Sequence, residues 1–180
     1  TQFMEWLFRA EVPELEAGAV EIKNIAREAG VRSKIAVAST VAGVDPVGTF
    51  VGGHGTRVNA VVGEVGEQEK IDIIVFADDT AQYIMNALSP TKVHRVAIDE
   101  SAKRAKVYVP EDQLSIAIGR GGQNVRLASK LVGYELDIEA EKQAVVEGEP
   151  QVKELPKQPK LKKKEQLESS LLDAIEEHGE

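Results

Sequence analysis

A glycine-rich motif occurs twice in the sequence, and this internal repeat restricts the possible folds more than any other feature. Residues 51–58 (VGGHGTRV) match residues 118–125 (IGRGGQNV), 67 positions further along the chain. Alternating stretches precede and follow both copies, at 34–37 and 70–73 in the first half and at 106–109 and 135–138 in the second. Three matches in the same order predict a duplicated fold.

Hydrophobic periodicity predicts the same order of elements in each half. The first half is predicted to contain a helix over 3–10, strands over 19–25 and 33–39, a short helix from Asp45 to Val51, a helix after Gly55 and a strand over 70–76. The second half is predicted to contain a helix over 79–88, strands over 93–98 and 105–109, a short helix over 111–118, a helix ending near Gly133 and a strand over 134–138. Both units are therefore α-β-β-α-α-β, an α+β arrangement in which helices cover one face of a small sheet.

The composition changes after the second unit. We predict a first domain over residues 1–77, a second over 78–140, and a flexible C-terminal tail over 141–180, in which a Lys/Pro-rich linker leads to an acidic end. Four apolar residues of that end fall on one helical face, namely Leu167, Leu171, Leu172 and Ile175. This pattern fits either a frayed acidic tail or a helix that binds a partner.

Composition excludes several classes of protein and raises one objection to nucleic-acid binding. The chain has no cysteine and no apolar run long enough to span a membrane, which excludes disulfide, thiolate-metal and membrane-spanning proteins and predicts a cytoplasmic location. The net charge of −8 argues against RNA as a partner. Positive charge is nevertheless concentrated locally, because segments 50–63 and 118–130 contain basic residues and no acid, and each carries one glycine motif.

The glycine motif can hold a phosphate backbone. A Gly-x-x-Gly turn between two helices lets another chain approach closely, because glycine has no Cβ, and it leaves the first amides of the next helix free for phosphate. In the KH module such a loop clamps about four nucleotides of RNA. A single turn of this kind is more often structural, but two copies in equivalent positions with acid-free basic flanks favour binding of single-stranded RNA. The candidate RNA-binding residues are Val51, Gly52, Gly53, His54, Gly55, Arg57, Ile118, Gly119, Arg120, Gly121, Gly122, Gln123, Asn124, Arg126 and Lys130.

Other chemistries do not fit the residues present. The glycines lack the Gly-Lys-Ser/Thr ending of a nucleotide-phosphate loop and the spacing of a dinucleotide fingerprint. The three histidines lie far apart in the sequence, and no nucleophile–base set is present, so we expect no metal site, no cofactor, no catalytic residue and no enzyme activity. Aromatic residues make up only 4% of the chain, and Phe3, Trp6 and Phe50 lie in apolar patterns that predict core positions rather than base stacking.

Eight stretches of the sequence resemble one protein family. They are residues 11–14 (EVPE), 20–23 (VEIK), 25–30 (IAREAG), 32–37 (RSKIAV), 44–48 (VDPVG), 86–90 (NALSP), 112–119 (DQLSIAIG) and 122–128 (GQNVRLA). Together they are similar to the NusA family of bacterial transcription termination/antitermination factors over about residues 3–140. The resemblance implies two consecutive type II KH domains that act as one RNA-binding surface in a transcription elongation factor, which modulates pausing, termination and antitermination.

The same resemblance implies partners. They are single-stranded RNA in the form of the nascent transcript and, for the full-length factor, RNA polymerase and other elongation factors; we expect a monomer without membrane association. Family members carry a polymerase-binding domain and an OB-type barrel before the KH pair, and a chain that begins at Thr1 predicts a fragment or a processed product. The first loop departs from the family pattern, since Gly53 and His54 stand where a proline and a basic residue are usual.

A second hypothesis keeps the fold but not the RNA. In this alternative the chain is a protein-interaction scaffold of the transcription or ribosome machinery, with weak or no RNA binding, and its acidic surface docks a partner. Titration with a short single-stranded RNA separates the two hypotheses, because the scaffold predicts no salt-sensitive binding.

Overall fold

The computed structural model describes residues 1–141, which form two units with the same order of elements apart from one additional short helix, Pro13–Glu16, in the first. The helices and strands of the first unit are α1 (Gln2–Glu11), α2 (Pro13–Glu16), β1 (Val20–Glu28), β2 (Arg32–Ser39), α3 (Pro46–Val51), α4 (Thr56–Val65) and β3 (Lys70–Val75). Those of the second unit are α5 (Thr80–Ala87), β4 (Arg95–Asp99), β5 (Arg104–Pro110), α6 (Leu114–Ile118), α7 (Gln123–Val132) and β6 (Glu135–Glu141). The predicted α-β-β-α-α-β order is confirmed, while the predictions for the tail lie outside the described residues.

Each unit contains one three-stranded sheet of mixed direction. In the first sheet β2 is central, with Ile35 opposite Ile25 of antiparallel β1 and opposite Ile73 of parallel β3. In the second sheet β5 is central and its neighbours β4 and β6 are antiparallel and parallel in the same way. The parallel strand of each sheet follows the two helices that flank the glycine motif, and these helices form part of the crossover that parallel strands require.

Acidic residues begin two of the helices, as the sequence predicts. The Asp45 carboxylate accepts a hydrogen bond from the Val47 amide (3.0 Å) before α3, and the Asp79 carboxylate accepts one from the Gln82 amide (2.8 Å) before α5. Residues 111–113 instead form a single 3-10 turn, and α6 begins only at Leu114.

Helix α1 differs from the sequence prediction in what it buries. Met4 and Phe8 face the first core, where the Phe8 ring lies 5.4 Å from that of buried Phe50. Phe3 and Trp6 are 47% and 65% exposed, so the prediction that they are core residues is wrong, whereas that for Phe50 is confirmed. Apolar positions occur on more than one face of α1, and only one face meets the rest of the first unit.

The core of the second unit continues into the first. Leu127 and Leu131 of α7 belong to one buried cluster together with Ala36 of β2 and Ile74 of β3. Across the same boundary, the side-chain amide of Asn24 in β1 donates to the main-chain carbonyl of Leu131 (2.7 Å). Helix α7 therefore packs against both sheets. None of the helices within residues 1–141 has the length and apolar character needed to cross a membrane.

Candidate nucleic-acid interface

The two glycine loops have the same backbone conformation. The first glycine has φ/ψ of 74°/168° at Gly52 and 75°/172° at Gly119. The last glycine, which directly precedes the long helix, has 78°/13° at Gly55 and 73°/15° at Gly122. The sequence repeat is therefore also a repeat of main-chain geometry, in which each loop is one 3-10 turn between a short helix and a ten-residue helix.

The first position of each loop must be glycine, because the main chain of the following helix lies too close for a Cβ atom. A Cβ added at Gly52 would lie 3.0 Å from the Arg57 amide nitrogen, and one added at Gly119 would lie 2.9 Å from the Asn124 amide nitrogen. Their backbone conformation is also one that is almost confined to glycine. The next residue differs, since Gly53 has open space around its Cβ position and no positive φ.

This difference gives a test of the loop geometry. Gly52→Ala should lower the free energy of unfolding by about 2 kcal/mol or more, because the new methyl group clashes with main chain in a strained conformation. Gly53→Ala, one residue away, should change it by less than about 1 kcal/mol. Urea unfolding of both variants measures the difference, and equal effects of the two substitutions would show that the loop adopts another conformation.

The third position of each loop is left-handed. His54 has φ 54° and the equivalent Gly121 has φ 58°, so the first loop places a non-glycine residue where the second keeps glycine. The side chain of His54 is exposed, as are Gly53 and the equivalent Arg120. The two central positions of both loops therefore face solvent.

Two of the candidate binding residues already form hydrogen bonds to the protein itself. Arg57 and Asn124 occupy equivalent positions, and both donate to main-chain carbonyls of the preceding short helix, Arg57 to Thr49 (2.7 Å) and Asn124 to Ile116 (3.3 Å). Arg57 also forms an ion pair with Glu14 of α2 (3.0 Å). Both side chains are thus committed to the short helix before the loop, and the first loop lacks the outward cation that its sequence suggested.

The cations of the second loop fall into two groups. Arg126 forms an ion pair with Glu28, the last residue of β1 in the first unit (2.9 Å), and donates to the Gly121 carbonyl (3.2 Å). Arg120 and Lys130 are exposed, and neither takes part in an ion pair within residues 1–141. Arg120 is therefore the loop cation that is already free to meet an anion.

Comparison with known proteins identifies the fold family. A model of a NusA-like first KH domain matches residues 1–76, and a model of a NusA-like second KH domain matches residues 80–146. The chain is 52% identical over 138 residues to the transcription termination/antitermination protein NusA of Thermus thermophilus, covering 77% of this chain and 35% of that protein. It is 51% identical over 146 residues to the NusA of Mycobacterium bovis, covering 81% of this chain and 42% of that protein.

The chain is a tandem KH region of the NusA family. It spans little more than a third of the length of the NusA relatives that it matches. Among solved structures, the crystal structure of APE1850 shares the fold, with a TM-score of 0.54 and 22% identity over 78% of this chain and 99% of that one.

Apolar side chains beside the loops distinguish the two halves of this NusA region. Ile118, which the sequence analysis named, is exposed at the end of α6, and Val51 is half-buried at the end of α3. Ile116 is 46% exposed on the same short helix and was missed. The signal that could have found it is its spacing of two from Ile118 in a helix of only five residues, because so short a helix cannot bury every apolar position. The equivalent residue in the first half is Thr49.

Proposed function

We propose that this NusA-type region binds single-stranded RNA through both glycine loops, as part of a bacterial transcription elongation factor that modulates pausing, termination and antitermination. The observation that carries the proposal is the repeated loop: the same glycine-dependent backbone occurs twice, 67 residues apart, with both central positions facing solvent. Solvent-facing central positions beside free helix N-terminal amides, present in both halves, support a binding role for these turns.

Main-chain amides are the proposed phosphate ligands. Helices α4 and α7 begin directly after Gly55 and Gly122, and no side chain within residues 1–141 caps either N-terminus. Their first amides and the positive end of each helix therefore remain available to an anion. The exposed guanidinium of Arg120 adds a charge at the second loop. These contacts bind the RNA backbone and do not distinguish one base sequence from another.

Bases are proposed to lie against the apolar residues next to each loop. Ile116 and Ile118 are exposed aliphatic side chains at the second loop, while Val51 and Thr49 occupy the equivalent places at the first. Unstacked bases can pack on aliphatic side chains, although less strongly than on aromatic ones. We expect the second loop to contribute more of the affinity, since it offers both the free cation and the larger apolar surface.

The domain boundaries and partners form part of the same proposal. We assign residues 1–77 to the first KH domain and 78–140 to the second, which is supported by β3 ending at Val75 and α5 beginning at Thr80. The nascent transcript is the proposed RNA, and RNA polymerase and other elongation factors are proposed partners of the full-length protein, acting as a monomer in the cytoplasm. No chemical reaction and no cofactor are assigned to the region.

RNA length provides the direct test. A single-stranded RNA of about 16 nucleotides can reach both loops, whereas one of about 5 nucleotides fills a single site. Because the two units share a core, we expect the longer RNA to bind at least about 10-fold more tightly at equal salt. Fluorescence anisotropy with labelled mixed-sequence RNAs measures both affinities, and equal values would exclude a shared RNA path.

Salt dependence separates this function from the scaffold hypothesis. With Arg120 and Lys130 as the free cations, log affinity should fall with log salt with a slope of about 1 to 2, since each single-strand phosphate contact contributes about 0.7. The absence of any salt-sensitive binding to either RNA would instead favour a protein-interaction scaffold.

A further inference from the structure

One carboxylate of the first unit lies among the polar side chains of the second loop. Glu28, the last residue of β1, accepts hydrogen bonds from Arg126 at 2.9 Å and 3.3 Å, one to each carboxylate oxygen. The side-chain amide of Gln123 points to the same carboxylate at 3.5 Å. Two of the five polar candidates of the second loop thus contact Glu28. The positive charge of Lys130 also acts on this carboxylate, without an ion pair.

The contact engages the loop itself as well as the side chains. Arg126 donates through its other terminal nitrogen to the carbonyl of Gly121, the third residue of the glycine loop (3.2 Å). A chain of hydrogen bonds therefore runs from Glu28 of the first unit through Arg126 to the main chain of the second loop. The hydrogen bond from Arg126 keeps the pKa of Glu28 below its ordinary value, so this carboxylate is ionised at neutral pH.

An exposed ion pair of this kind is readily exchanged. Both side chains are partly open to solvent, and ion pairs in such positions contribute little to stability. A phosphate group offers Arg126 the same fork-shaped acceptor as a carboxylate does. RNA can therefore replace Glu28 on Arg126, but it must then overcome the repulsion between the phosphate and the displaced carboxylate.

We propose that Glu28 sets the affinity of the second loop: it is a first-domain carboxylate that occupies Arg126 and Gln123 in the free protein and that RNA phosphate must displace. This inference rests on the proposed RNA binding. It assigns Arg120 to the initial contact and Arg126 to a second contact that forms only after exchange. It also makes the RNA affinity of one domain depend on a residue of the other.

Removing the charge of Glu28 tests the inference. Glu28→Gln keeps the size of the side chain and should tighten binding of a labelled mixed-sequence RNA of about 16 nucleotides by about 3- to 10-fold at low salt. The slope of log affinity against log salt should steepen by up to about 0.7, because competition from Glu28 leaves the Arg126–phosphate contact incomplete in the wild type and the variant lets it form fully. A change that merely loosened the fold would not steepen this slope.

Glu21→Gln is the matched control. Glu21 lies on the same strand and pairs with Lys23 (2.6 Å), so this substitution removes the same charge from an exposed ion pair of the first unit. It should leave both affinity and salt slope nearly unchanged. In an Arg126→Gln background, Glu28→Gln should lose most of its gain, which a double-mutant cycle measures.

The possible outcomes distinguish this inference from the proposed function. Weaker binding by Glu28→Gln would mean that Glu28 orients Arg126 for RNA and would overturn the inference, as would an effect equal to that of Glu21→Gln. Both results would leave RNA binding by the loops intact. Failure of the wild type and of Glu28→Gln alike to bind the RNA would overturn the proposed function and the inference together.

Discussion

Replacing Arg120 and Gly121 with aspartate should weaken RNA binding by about 30-fold or more, because the change removes the free loop cation and adds two negative charges against the phosphate. The equivalent pair in the first loop is Gly53 and His54. Aspartate at these two positions should weaken binding only about 5-fold, since that loop has no outward Arg or Lys to lose and is expected to act through its main-chain amides.

Both double variants should remain folded. The Cβ positions of Gly53 and Gly121 meet no atom within 4 Å, and aspartate tolerates the left-handed conformation better than most residues. Fluorescence anisotropy gives the two affinities, and circular dichroism with thermal unfolding checks the fold. A larger loss from the first-loop variant would reverse the proposed order of the two sites.

A second large effect is expected from Glu69, a buried carboxylate just before β3. Its oxygens accept hydrogen bonds from Arg27 (2.8 and 2.9 Å), from the Ser33 hydroxyl (2.7 Å) and from the Gly30 amide (2.9 Å). Glu69→Gln should lower the free energy of unfolding by about 3 kcal/mol, because it leaves the mostly buried guanidinium of Arg27 without its counter-charge. Glu67→Gln, at an exposed position two residues earlier, is the control and should have little effect.

The pKa of Glu69 predicts how the free energy of unfolding depends on pH. Burial alone would raise the pKa of Glu69, but the hydrogen bonds from Arg27, Ser33 and Gly30 outweigh it and lower the pKa to about 2 from an ordinary 4.5. The folded-state pKa is the lower one, so the stabilisation is complete above about pH 4.5 and is lost as pH falls towards 2. The loss over that window should reach roughly 3 kcal/mol.

Urea unfolding between pH 6 and about pH 2.5 tests this dependence. The wild type and Glu67→Gln should lose stability steeply below about pH 4.5, whereas Glu69→Gln should show a flatter profile because it has no carboxylate to protonate at this position. Parallel profiles of Glu69→Gln and the wild type would mean that other carboxylates control the acid response.

The sequence predicted the architecture well because the repeat and the periodicity are local signals. The element order and the two glycine loops follow from spacing within each half. Helix α2 was not predicted, although Pro13 suits the first position of a helix, because its four residues are too few to show a helical period. The exposed position of Trp6 was missed for a related reason. A window of apolar residues does not tell which of two faces meets the core.

Side-chain partners across the chain could not be predicted. Arg57 pairs with Glu14, 43 positions away, and Arg126 with Glu28, 98 positions away. A list of local cations counts these residues as free, although the fold supplies an acid for each of them. The tertiary structure shows that Arg57 and Arg126 have ion-pair partners, whereas Arg120 has none within residues 1–141. The sequence does not show this difference, because ion pairing depends on distance in space and not on distance in sequence.

Arg57 and Asn124 occupy equivalent positions and form equivalent hydrogen bonds, so each residue of one half can be compared with its counterpart in the other. The same task at this position, hydrogen bonding to a main-chain carbonyl of the short helix before the loop, is performed by two different side chains. Positions that perform the same task in both halves maintain the shared loop geometry, and positions that differ are where the two loops can differ in what they bind. By this criterion Arg120 opposite Gly53, and Arg126 opposite Asn59, are two places where the second half differs in charge from the first.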